Sequence, residues 1–129
     1  MKTANIKIIT NNPLVADKFA KISHFTSCSV SDIFTKARDE IHLGASLINH
    51  PLSGSIKPNE SPYKSLLLSV KRAELDYKSL QMIETAFETL TKLPVYDRAF
   101  PQRVLDDFQV IDLDLLDSAI SSLPAEYYF

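Results

Sequence analysis

Only two glycines occur in this chain of 129 residues. So few disfavour a fold that depends on many tight turns, and they disfavour a glycine-rich nucleotide cradle. The single cysteine, Cys28, excludes an intramolecular disulfide. No apolar run reaches the length of a membrane span, and the opening MKTANIKIITNNP lacks a signal-peptide core. A soluble, cytoplasmic protein with no membrane contact is therefore expected. After Arg103 there is no lysine or arginine at all, whereas Asp106, Asp107, Asp112, Asp114, Asp117 and Glu126 fall there. The preceding part holds all 14 basic residues and 10 of the 16 acidic ones, so it stands at +4 in a chain of net charge −2. An acidic C-terminal segment discourages nucleic acid and favours basic partners, or is simply a solvated helix face. No basic cluster is dense enough to bind nucleic acid. The dinucleotide fingerprint, the Walker sequence and the nucleophile elbow are also missing, which disfavours recognised nucleotide chemistry. His24, His42 and His50 share no ligand spacing with Cys28, so neither a metal nor a cofactor is expected.

What is present reads as alternating strands and helices. Ile6–Thr10 (IKIIT) is a short β-branched strand. Asn12 and Pro13 suit the cap and first position of a helix carrying Val15, Phe19 and Ile22 at helical spacing. Phe25–Val30 is a second, weaker strand, and Ser31 is placed to cap a helix with Ile33, Phe34, Ala37 and Ile41 on one face. Gly44 stands where a helix C-terminal glycine belongs. Ala45–Ile48 reads as a short third strand, and Leu66–Val70 as a central one. Asp76 is a cap for a long helix that Pro94 stops; Asp97 and Asp112 read as caps of two further helices. The aromatic tail Tyr127–Phe129 either packs back on the body or serves a partner or a homodimer contact. The fold expected is α/β: one domain over residues 1–129, a three-layer sandwich. Its sheet is small and mostly parallel, of about four strands, with helices on both faces and a helical C-terminal part. The helices after the last strand are expected to cover one face.

The stretch Asn49–Ser65, NHPLSGSIKPNESPYKS, breaks this periodicity. It holds three of the seven prolines and one of the two glycines. A polar loop of this length inside a compact domain is usually functional or disordered, and its prolines argue for a shaped one. In an open α/β sheet ligands bind beyond the carboxyl ends of the strands. The turn at Asn11-Asn12, the Ser29–Ser31 turn and the start of the stretch should converge there. Helix N-termini at the first two would offer unpaired amides to a small anion: a phosphate, a carboxylate or an acyl phosphate. The expected ligand-binding residues are Asn11, Asn12, Ser53, Gly54, Ser55, Lys57, Asn59, Tyr63 and Lys64, with His50 as a catalytic acid or base if a reaction occurs. Each also has a plain structural reading: helix cap, turn, solvated charge or loop histidine. Cys28 reads as a small apolar residue.

Three segments carry a resemblance. ITNNPLV, KARDEIHLGASLINHPLSGSIKPNESPYKS and DFQVIDLDLLDSAI together resemble the GrdX family, small proteins encoded with glycine, sarcosine and betaine reductase genes of anaerobic amino-acid-fermenting bacteria. The resemblance implies an accessory protein with reductase subunits as partners, and it carries over no catalytic residue. Three functions stay open at this point: a binding accessory protein, an enzyme acting on a small carboxylate or acyl phosphate through His50, and a pure assembly factor.

Overall fold

The computed structural model describes residues 5–52, 61–70, 74–92 and 99–123. Among them the elements run β1 (Ile6–Thr10), α1 (Pro13–Lys18), β2 (Ser23–Phe25), α2 (Val30–His42), β3 (Ser65–Ser69), α3 (Tyr77–Lys92) and α4 (Gln102–Ser121). The sheet order is β2-β1-β3. Strand residues alternate between two cores. Ile6, Ile8 and Leu67 pack with Val15, Leu116 and Ile120, so α1 and α4 cover one face. Ile9, Leu66 and Leu68 pack with Ile33, Phe34 and Ile83, so α2 and α3 cover the other. The helices after β3 thus lie on both faces, not on one. Arg38 ties α2 to α3, stacked 4.4 Å from the Phe87 ring centre and 3.3 Å from Glu84.

The sheet is mixed rather than mostly parallel. β1 and β2 are parallel, from Ile8↔Ser23 to Thr10↔Phe25. β1 and β3 are antiparallel, from Ile6↔Ser69 to Thr10↔Ser65. The reason lies in the connection. The expected strand at 45–48 forms only a single bridge, Leu47↔Leu68, antiparallel to β3. The amide of Ile48 donates to the Leu67 carbonyl (2.8 Å) and that of Ser69 to the Ser46 carbonyl (2.9 Å). Asn49 extends the pairing with its side chain: its Oδ1 accepts from the Leu67 amide (2.8 Å) and its Nδ2 donates to the Ser65 carbonyl (3.2 Å). Residues 46–49 therefore shield the outer edge of β3. Residues 46–49 and β3, consecutive along the chain, pair side by side and antiparallel, so β3 runs back against β1.

Local chemistry explains the other boundaries. β2 stops at Phe25 because Ser29 and Asp32 form a reciprocal capping box that starts α2 two residues before the expected Ser31 cap. Gly44 takes φ 105° after α2, as a C-terminal glycine should. α1 ends at Lys18, and Phe19 and Ile22 pack beyond it. The expected helix start at Asp97 lies outside the described residues. The expected start at Asp112 is replaced by one uninterrupted helix, since no proline or glycine occurs from 102 to 121.

Asp76 does cap α3, accepting from the amides of Lys78 (3.1 Å) and Ser79 (3.4 Å). The buried Ser79 hydroxyl donates to Asp76 (2.8 Å) and accepts from the Leu47 amide (2.8 Å). That relay fixes residues 45–48 to the start of α3. Ser79→Ala strands the Leu47 amide and should cost about 1–3 kcal/mol by chemical denaturation. The Ser79 hydroxyl, more than any other group, holds the Asp76 carboxyl below its ordinary value. Its contribution is thus present above the unfolded carboxyl's pKa and disappears as pH falls through the folded one. The gap between wild type and Ser79→Ala should accordingly narrow below about pH 4.

Candidate functional site

The carboxyl end of β1 pairs with the amino end of β3, Thr10 opposite Ser65. Asn11, the next residue, is buried and works as a three-way clip. Its Nδ2 donates to the carbonyls of Cys28 and Pro62 (2.8 Å each), and its Oδ1 accepts from the Lys64 amide (2.8 Å). Only a carboxamide offers two donors and an acceptor in that geometry; an aspartate would offer none of the donors. The loop after β2 and the returning end of the polar stretch are therefore fastened to the exit of β1. Asn49 fastens the departing end beside β3 as described. Both ends of the stretch and the Asn11-Asn12 turn thus share one edge of the sheet.

Asn12 is fully buried. Its Oδ1 caps α1 by accepting from the Leu14 amide (3.0 Å). Its Nδ2 reaches α4, donating to the Gln109 carbonyl (2.9 Å) and to Asp112 Oδ2 (3.0 Å). The same Asp112 oxygen accepts from the Ser65 hydroxyl (2.7 Å). Ser65 has one proton, so the Thr10 hydroxyl donates to Ser65 (2.7 Å) while accepting from the Asn12 amide (2.9 Å). A one-directional chain results: Asn12 amide, Thr10, Ser65, Asp112. Every donor in it is used, and Asp112 Oδ2 accepts twice. Asp112 is 8% exposed, on the buried face of α4 with Leu116 and Ile120.

The helix N-termini at this edge are less open than the sequence implies. The Leu14 amide is taken by Asn12, and the Asp32 amide by the Ser29 hydroxyl (3.1 Å). The Asp32 carboxylate adds a negative charge at the start of α2. The positive charge at the edge comes instead from Lys64. Lys64 is partly buried, and burial pushes its ammonium below the ordinary lysine value, against the opposing pull of Asp112. Among the described residues no carboxylate lies within ion-pairing distance of it. Beside it the Tyr63 hydroxyl accepts from Gln109 Nε2 (2.8 Å).

Asn11, Asn12, Tyr63 and Lys64 are therefore brought into one cluster. His50 is exposed at the other stem, where its Nδ1 accepts from the Leu52 amide (3.1 Å). That bond puts the neutral ring's proton on Nε2, so in this geometry His50 offers a donor rather than a base. Ser53, Gly54, Ser55, Lys57 and Asn59 lie outside the described residues. Cys28 stands in the loop after β2, not in a strand; burial, then Asp32, pushes its thiol up while Lys36 opposes them. Sequence reasoning missed Asp112 as the anchor of the cluster. The signal was there: Asp112 precedes Leu116 and Ile120 at steps of four, a lone acid on an apolar face. Among the described residues no group of three or more His, Cys, Asp or Glu side chains could hold a metal ion. No helix among them is long and apolar enough to cross a membrane.

The class so defined is a small mixed α/β protein whose sheet edge carries a buried polar network and a lysine that has no ion pair among the described residues. The family model described as GrdX-like protein matches residues 7–121, from β1 to the last residue of α4, and the chain belongs to that family. No curated protein and no solved structure matches it.

Proposed function

We infer that this chain is an accessory protein of the glycine and betaine reductase system that holds a small anionic ligand, or an anionic group of a reductase component, at the edge of its sheet. The ligand class is a phosphate, a carboxylate or an acyl phosphate. The observation that supports this reading is Lys64. A partly buried ammonium without an ion pair is costly; among the described residues Lys64 has none, and the neighbouring side chains are committed elsewhere, Asn11 to the Cys28, Pro62 and Lys64 backbone and Asn12 and Ser65 to Asp112. An anion that entered beside Lys64 would supply the missing charge and gain from the low local dielectric. The polar stretch that departs at Asn49 and returns at Pro62 supplies Ser53, Gly54, Ser55, Lys57 and Asn59 as further contacts in this proposal.

Thermal unfolding in the presence of phosphate, acetyl phosphate, glycine or betaine tests it. A ligand at about 100 times its Kd adds about 2.7 kcal/mol to the folded state. A raised midpoint with one of the anions, abolished in Lys64→Met, is the expected result. No shift with any of the four would overturn the small-ligand reading.

A further inference from the structure

α4 has a second apolar face, part of which is exposed among the described residues. Its inner face buries Leu116 and Ile120 against the sheet. Val104, Phe108, Ile111 and Leu115 recur at steps of four, three and four, the seam by which one helix packs on another; Val104 and Phe108 are partly buried, Phe108 edge-on against Phe100 (5.3 Å between ring centres). Ile111 is 37% and Leu115 38% exposed. Asp107 and Asp114, one heptad apart, border this seam and are exposed. Asp117 pairs with Lys18 (2.6 Å) and Asp106 accepts from Gln102 (2.8 Å), but no basic side chain pairs with Asp107 or Asp114 among the described residues.

We propose that this outer face of α4 docks an amphipathic helix of a partner protein whose apolar seam is flanked by lysine or arginine. Charge selects the occupant. A second copy would bring Asp107 and Asp114 against the same acids, since α4 carries one basic residue, Arg103, against five aspartates. Nucleic acid and anionic membrane would be repelled as well. A basic helix meets opposite charge at both flanking positions while its seam covers Ile111 and Leu115. Ile111 and Leu115 are exposed where Asp112 is buried, and neither shares a hydrogen bond with the sheet-edge cluster, so this proposal does not rest on the anion reading.

The test is fluorescence anisotropy on the full chain with a labelled model helix, leucine-seamed and lysine-flanked, and with its glutamate-flanked counterpart. The lysine helix should bind at least about tenfold more tightly. Ile111→Glu with Leu115→Glu should abolish binding. Asp107→Lys with Asp114→Lys keeps the seam and should invert the preference, which gives a readout even where the first pair fails to fold. Equal binding of both helices, or binding of neither, overturns the proposal. So does a concentration-dependent dimer in sedimentation that Ile111→Glu with Leu115→Glu dissolves, which assigns the face to a second copy. Binding that appears only after Tyr127, Tyr128 and Phe129 are changed to serine overturns it too, assigning the face to the chain's own C-terminal residues.

Discussion

Asp112→Ala is expected to destabilise the fold by about 3–5 kcal/mol, the largest effect of any single substitution at the sheet edge. Two hydrogen bonds to one buried carboxylate oxygen are lost, each on the order of 1.5–3 kcal/mol. Both donors stay behind in a dry site. The Ser65 hydroxyl loses the carboxylate it donates to, and the Asn12 Nδ2 keeps Gln109 alone. Because Asn12 also caps α1 and Asn11 clips the adjoining loops, the loss should spread through the edge instead of staying on α4. Asp112→Asn separates charge from shape. Its oxygen can take the Oδ2 place and accept from both Ser65 and Asn12, but as a neutral acceptor in place of a charged one, so a cost of about 1–2 kcal/mol is expected. Urea unfolding of the three proteins measures both values. Equal, small costs for alanine and asparagine would show that the chain from Asn12 to Asp112 contributes nothing as a unit.

The same residue shows where sequence reading stopped. β1, the Asn12-Pro13 start of α1, Gly44 and the Asp76 cap are written in short-range chemistry, and each is where its residues place it. Asp112 looked like a cap because a cap and a buried acceptor use the same residue type. Only the partners differ, and Ser65 and Asn12 are 47 and 100 residues away. The strand direction failed for a similar reason. IKIIT and SLLLS are equally apolar in either direction; what turns β3 around is that residues 46–49 and β3 meet at one edge through Asn49 and Leu67. Of the expected site residues, Asn11 and Asn12 follow β1, and Asn12 caps α1 as its residue type implies. Their side chains spend their hydrogen-bonding capacity on the loops and on α4, which leaves Lys64 as the cation the cluster presents.

Lys64→Met should therefore leave the fold intact, or stabilise it by about 0.5–1 kcal/mol, the scale seen when a strained functional residue is replaced. The sign follows from proton binding. Burial lowers the Lys64 pKa in the folded state, so the unfolded chain holds this proton more tightly. Below the folded value both states carry it and the folded state bears the full penalty of an ammonium out of water. As pH rises through the folded value toward the ordinary lysine value, the folded protein loses the proton first and becomes relatively more stable. The advantage of Lys64→Met should thus be constant below the folded value and shrink as pH rises through it toward the ordinary lysine value. Anion affinity should move the opposite way, falling as pH passes the folded Lys64 value, earlier than for a solvated lysine. Asp112 pulls that value up, so in Asp112→Asn the affinity should fall at still lower pH. Unfolding midpoints and phosphate titrations across neutral to alkaline pH, on wild type, Lys64→Met and Asp112→Asn, read all three consequences. A Lys64→Met protein that is clearly less stable than wild type at neutral pH would mean that Lys64 is a structural residue, and the anion would need another holder.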